Sequence, residues 1–133
     1  MTASEDAFER HWATKGHCQR LRDKKDLMGL NKGVRLADFS KPADFMVSSK
    51  THPLHYAEVK ETKSKTSFGF SGIRPAQKSA AIREAVSGSG SYVFYIYSWH
   101  HSEWFKMNCF QFHQLVADGK KSVKFEDLDK WRK

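Results

Sequence analysis

Phe8 and Trp12 stand one helical turn apart in an otherwise polar opening segment, and this spacing predicts an amphipathic first helix. Thr2-Ala3-Ser4-Glu5 has the form of a capping box at its start, and Gly16 marks its stop. Cys18 to Arg22 reads as a first strand, and residues 23 to 43, rich in Lys, Asp and Gly, as a long loop or small excursion. Two short apolar runs follow, Asp44 to Val47 and His55 to Lys60, which predict a hairpin across Ser48 to Pro53. Glu61 to Gly72 is polar with glycines and reads as a loop on the strands' polar side. Pro75 suits the first turn of an alanine-rich helix running to Val86, which Ser87-Gly88-Ser89-Gly90 breaks. Tyr92 to Trp99 is continuously apolar and aromatic, as expected of a central strand covered on both faces. Glu103 to Asn108 alternates and should pair with it antiparallel; Cys109 to Ala117 reads as a helix ending at Gly119. The tail, Val123 to Trp131, predicts a short extended piece and one helical turn. The order is α-β-β-β-α-β-β-α, without internal repeat or domain boundary, so residues 1–133 are read as one domain.

Composition narrows the class. The chain has 133 residues with 39% hydrophobic and 14% aromatic content, enough for one folded core. A net charge of +8 favours a polyanionic partner, with nucleic acid the default. An anionic membrane is the rival, but no long basic amphipathic helix is present, and the run Tyr92 to Tyr97 is too short to span a bilayer. Met1-Thr2-Ala3-Ser4-Glu5-Asp6 is acidic and lacks an apolar signal region, which points to a cytoplasmic protein. Cys18 and Cys109 have neither CxxC spacing nor histidines at metal-ligand intervals, and both read as reduced, half-buried thiols. His100 and His101 read as hairpin-turn residues, and His11 and His17 as surface or DNA-facing groups.

Charges within the two short strands carry the candidate chemistry. Side chains alternate faces along a strand, so Glu58 and Lys60 point one way while Ala57 and Val59 point the other. The same alternation puts Asp44 with Met46 and leaves Phe45 and Val47 for the core. Two carboxylates and an amine then share one polar face. Oxygen-rich anions hold a hard divalent cation, and a neighbouring lysine can orient an attacking water or steady charge on a phosphate. The plain alternative is a solvated, salt-bridged strand face, since Glu-x-Lys alone is common.

The surrounding residues single the triplet out. With Glu9 on the first helix, then Asp44, then Glu58-Val59-Lys60, then Gln77 on the next helix, the chain resembles the PD-(D/E)xK nuclease superfamily. The run Glu58-Val59-Lys60-Glu61-Thr62-Lys63-Ser64-Lys65-Thr66-Ser67-Phe68 is similar to the Glu-Ala-Lys-Glu-Thr-Lys-x-Lys-Thr-Ser-Phe run of RecU-type Holliday junction resolvases. The similarity extends more weakly over roughly residues 40 to 128. It implies an α/β fold with a mixed central β-sheet flanked by helices, a restriction-endonuclease-like core. It also implies a Mg²⁺-dependent endonuclease, with Mn²⁺ able to substitute, that resolves four-way DNA junctions as a homodimer. By the same resemblance Asp44, Glu58, the Val59 carbonyl and Glu9 are metal ligands, with Glu5 competing for the place of Glu9. Lys60 faces the attacking water and scissile phosphate, and Gln77 contacts Lys60, water or phosphate. Lys63, Lys65, Thr66 and Ser67 would grip the DNA backbone, with Arg74 adding a phosphate contact. RecU-type proteins carry an N-terminal arm and a protruding stalk; this chain begins almost at its first helix, and residues 23 to 41 are the candidate for a shortened stalk equivalent, with no motif of their own that marks one.

Two alternatives stay open: a PD-(D/E)xK endonuclease acting on flaps, nicks or restriction sites, and a non-catalytic basic nucleic-acid-binding module. The second would use Tyr92, Tyr95 and Tyr97 as a stacking platform, but their run with Val93, Phe94 and Ile96 reads as core. For the dimer contact, the first helix with Phe8 and Trp12 and the aromatic hairpin around Trp99 and Trp104 are the two candidates.

Overall fold

A computed structural model describes residues 2–21 and 41–132. The predicted excursion and stalk equivalent therefore lie almost wholly outside the described residues. Helix α1 spans Ala3–Lys15 and is capped as its sequence predicts: Thr2 Oγ1 accepts from the Glu5 N–H, and the Glu5 carboxylate accepts from the Thr2 N–H. Gly16 ends the helix and opens strand β1 (Gly16–Arg20). The first strand thus begins two residues before the predicted Cys18, because Gly16 lies against the Ser48 backbone. A Cβ there would sit 2.1 Å from the Ser48 carbonyl oxygen, so only glycine permits the helix to pass directly into the strand.

Strands β2 (Phe45–Ser49) and β3 (His55–Thr62) form the expected antiparallel hairpin. Helix α2 (Pro75–Val86) leads to β5 (Tyr92–Ser98), which lies parallel to β3 and antiparallel to β6 (Glu103–Asn108). Helix α3 (Cys109–Ala117) follows, and the tail supplies β7 (Ser122–Lys124), a 3₁₀ turn at Phe125–Asp127 and β8 (Asp129–Lys130). The main sheet runs β1-β2-β3-β5-β6-β8 and is mixed, with helices on its faces.

The segment read as a loop from Glu61 to Gly72 is more ordered than that. β3 continues to Thr62, and Ser67–Gly69 forms β4, which pairs with β7 in a separate two-stranded ribbon; a 3₁₀ turn covers Phe70–Gly72. Burial of Phe68 and Phe70 in the core is the reason, since each aromatic side chain gains more by leaving water than a free loop gains in entropy.

Each face of the sheet has its own core. On one, Phe8 and Trp12 of α1 pack on Phe45, Val47, Ala57, Val59, Tyr95 and Trp131. On the other, Tyr92, Phe94, Ile96 and Met107 meet Ala80, Ala81, Phe112 and the ribbon's Phe68 and Val123. Tyr92 and Tyr95 are therefore core residues, as their run predicted. Phe8, Trp12 and Trp104 are also buried within the chain, which removes them as a dimer contact; Trp99 alone of those candidates is exposed, at 47%. Cys18 is half-buried, but Cys109, the first residue of α3, is fully buried, and both are free thiols. Among the described residues no helix is long and apolar enough to cross a membrane.

Candidate active site

The hairpin register builds the site. The β2–β3 ladder ends at the pair Phe45–Ala57, so one step further places Asp44 across from Glu58. There the regular pairing stops and the Asp44 side chain takes over. Its Oδ2 accepts the Val59 N–H at 2.9 Å. Backbone groups of alternate strand residues face the same edge, so the Val59 carbonyl is directed to the side where Asp44 lies. The Asp44 carbonyl accepts the Leu21 N–H at 2.8 Å, and the Tyr92 hydroxyl donates to the carbonyl of Pro42 two residues earlier.

Glu58 and Lys60 share a face, and the Lys60 ammonium lies 3.0 Å from Glu58 Oε2. Lys60 also donates to the Gly72 carbonyl at 3.0 Å, which ties the 3₁₀ turn to the end of β3. The plain alternative for this face was a solvated, salt-bridged strand surface, and it does not fit the burial. Glu58 is 1% exposed and Asp44 6%, with Gln77 at the start of helix α2 and Glu5 of α1 closing on the same cleft. Glu58 Oε1 is buried with no hydrogen-bond partner. Burial, reinforced by the Asp44 charge, pushes the Glu58 carboxyl up to about 7 from an ordinary 4.5, and the Lys60 ammonium offsets only part of that.

A cleft of about 410 Å³ opens over these groups. Its lining brings Asp44, Glu58, Val59, Lys60, Gln77 and Arg74 together, along with Thr2, Glu5, Arg20 and Lys41. Glu9 is not in the lining; its carboxylate is 2.9 Å from the Arg20 guanidinium. Glu5 occupies the cleft instead, one turn nearer the N-terminus. Burial and then the charge of Asp44 raise its carboxyl above the ordinary range. Gln77 is buried at the start of α2, where its Oε1 accepts the Arg74 N–H at 2.8 Å. Its carbonyl end is thereby spent on the helix start, which leaves the amide NH₂ as the group with donors to offer.

Lys63, Lys65 and Thr66 are exposed between β3 and β4, while Ser67 is half-buried in β4. The Lys65 carbonyl is bonded to His101 Nε2 at 2.7 Å, which fixes the backbone but leaves the lysine side chain outward. Arg20 and Lys41 were not singled out from the sequence. Arg20 lies in a segment read only as a first strand, and Lys41 belongs to a segment read as loop; the position of Lys41 three residues before Asp44 was the available signal.

The donor set fits a hard divalent cation. It offers two buried carboxylates, one with an unpartnered oxygen, and a backbone carbonyl on the same edge. Among the described residues no three His, Cys, Asp or Glu side chains gather closely enough to hold a metal by themselves, so the carbonyl and water would have to complete the shell. No protein-family model matches the chain, and a search of curated proteins returns no match.

Proposed function

We propose that this chain is a divalent-metal-dependent endonuclease of the PD-(D/E)xK kind, with a restriction-endonuclease-like core, that resolves four-way DNA junctions as a homodimer. The observation that carries the reading is the cleft itself: Asp44 is brought beside Glu58 and Lys60 of the next strand, and one carboxylate oxygen there is unsatisfied. Lys60 pairs with one Glu58 oxygen and leaves the other buried without a donor. An unsatisfied buried polar atom is costly, and a site that retains one is suited to a ligand that occupies it.

When bound, Mg²⁺ or Mn²⁺ lowers the pKa of a water and neutralises charge on the phosphate. The chain's own groups do the positioning. Two of the three Lys60 ammonium protons serve Glu58 and Gly72, and the third is available to the attacking water or a phosphate oxygen. Gln77, in the same lining, has its amide donors left to offer. Water adds to phosphorus as one P–O ester bond breaks, leaving a phosphate on one side and a hydroxyl on the other. Arg74 at the rim and Lys63, Lys65, Thr66 and Ser67 on the adjoining segment would hold the backbone without reading bases.

One cleft makes one nick, whereas a junction needs two nicks placed symmetrically, which a two-fold dimer provides. The test is direct. Labelled four-way junction, linear duplex and flap DNA are incubated with Mg²⁺ or EDTA, alongside a cruciform plasmid assay and sedimentation at micromolar protein. The reading expects metal-dependent junction cleavage, linearised plasmid and a dimer. A monomer yielding only nicked plasmid would remove junction resolution and leave nuclease chemistry standing; no cleavage of any DNA would remove both.

Neutralising Lys63 and Lys65 together is expected to weaken binding to every DNA structure. Each lost phosphate contact should also reduce the slope of log K against log salt by about 0.9 on duplex. An unchanged slope in a salt titration would place this segment away from DNA.

A further inference from the structure

The cleft already contains a cation in contact with Asp44. The Lys41 ammonium lies 3.2 Å from Asp44 Oδ1, and both side chains are largely buried. The other Asp44 oxygen already accepts the Val59 N–H, which leaves Oδ1 as the oxygen with more free acceptor capacity for a metal ion. Two positive charges cannot share that oxygen without strong repulsion. Lys60 is held at two points, by Glu58 and by the Gly72 carbonyl, whereas Lys41 reaches Asp44 on a flexible four-carbon stem. The cleft lining also holds Arg20 and Arg74, so a released Lys41 would join a cationic rim.

We propose that Lys41 is a tethered stand-in cation: it neutralises Asp44 while the site lacks metal, is displaced when a divalent ion arrives, and then contacts a substrate phosphate. This rests on the metal-dependent reading of the cleft and adds a direct competition and a hand-off to it. Lys41 acts as a positioning residue that couples metal loading to substrate grip. The exchange is balanced in charge. Asp44 trades an ammonium for a divalent ion, the unpartnered Glu58 Oε1 gains a ligand, and the freed ammonium gains an anionic phosphate.

The test uses Mn²⁺ alone, followed by its electron paramagnetic resonance signal without DNA, on wild type, Lys41→Met, Lys41→Arg and Asp44→Asn. Lys41→Met is expected to bind Mn²⁺ about fivefold or more tightly than wild type, as removal of one competing ion pair implies. Lys41→Arg keeps the charge and should stay near wild type, and Asp44→Asn should lose the site. If Lys41→Met proves unfolded by circular dichroism, Lys41→Gln is read in its place. The second arm measures duplex binding in EDTA and in Ca²⁺. The Lys41→Met change should weaken binding in Ca²⁺, reducing the salt slope by about 0.9, and have little effect in EDTA. Equal Mn²⁺ affinity in wild type and Lys41→Met, with Asp44→Asn still defective, would overturn this proposal and leave the nuclease reading intact. Absence of Mn²⁺ binding by folded wild type at millimolar metal would overturn both.

Discussion

Asp44→Asn and Glu58→Gln should each reduce DNA cleavage by about 10³-fold or more, the scale seen when a preorganised electrostatic contact to the reacting group is lost. Each substitution keeps the shape of the side chain and removes one negative charge. Asn in place of Asp44 still offers a carbonyl oxygen to the Val59 N–H at the end of the β2–β3 ladder, so the local backbone should persist. What disappears is the anion able to hold a divalent ion. DNA binding in EDTA should stay level or become tighter, because the exposed cations Lys63, Lys65 and Arg74 are untouched and the cleft becomes less negative. Gel assays of cleavage and of binding on the same junction separate the two effects. Near wild-type cleavage by either variant would sink the assignment of the site, and a parallel loss of binding would show that the fold had been damaged instead.

Much of this site could be read from the sequence because it depends on strand periodicity. Once Asp44 to Val47 and His55 to Lys60 form a hairpin, alternation alone puts Asp44, Glu58 and Lys60 on one side. Helix α2 was similarly readable from Pro75 and its alanines. Three features needed the third dimension. Glu5 and Glu9 are one turn apart on the same helix, and only the docking of α1 on the sheet decides that Glu5 enters the cleft while Glu9 pairs with Arg20. Strand β4 is three residues long, and its pairing partner Val123 is far along the chain, so no local pattern marks it. The burial of Glu58 depends on what covers its face, and a strand sequence says which residues share a face without saying what lies above them. Lys41 was passed over for a related reason: its ion pair with Asp44 lies in a short connection that has no periodicity.

Burial of Glu58 should show as a pH-dependent loss of stability in metal-free protein, and Glu58→Gln should remove it. The carboxyl rises from an ordinary 4.5 to about 7 in the folded chain. Across that window the folded state holds a proton that the unfolded state has already released, so stability falls as pH increases through it. The full shift corresponds to a cost of roughly 3 kcal/mol above neutral pH, at about 1.4 kcal/mol per unit. Below pH 5 wild type and Glu58→Gln should unfold alike, because a protonated carboxyl and an amide are nearly isosteric. At pH 8 in EDTA the Gln variant should be the more stable by up to that amount, even with Lys60 deprived of its ionic partner. His55 works in the opposite direction. It is buried between the Tyr95 hydroxyl and the Pro53 carbonyl, and burial lowers its pKa, so stability is lost as pH falls below its unfolded value. Both proteins carry His55, and the difference between them cancels it. Adding Mn²⁺ at pH 8 should then stabilise wild type by mass action and leave Glu58→Gln nearly unchanged. Urea unfolding at several pH values gives the comparison. A wild-type-minus-variant difference that is flat between pH 5 and 8 would mean that Glu58 is neither as buried nor as poorly partnered as the cleft requires.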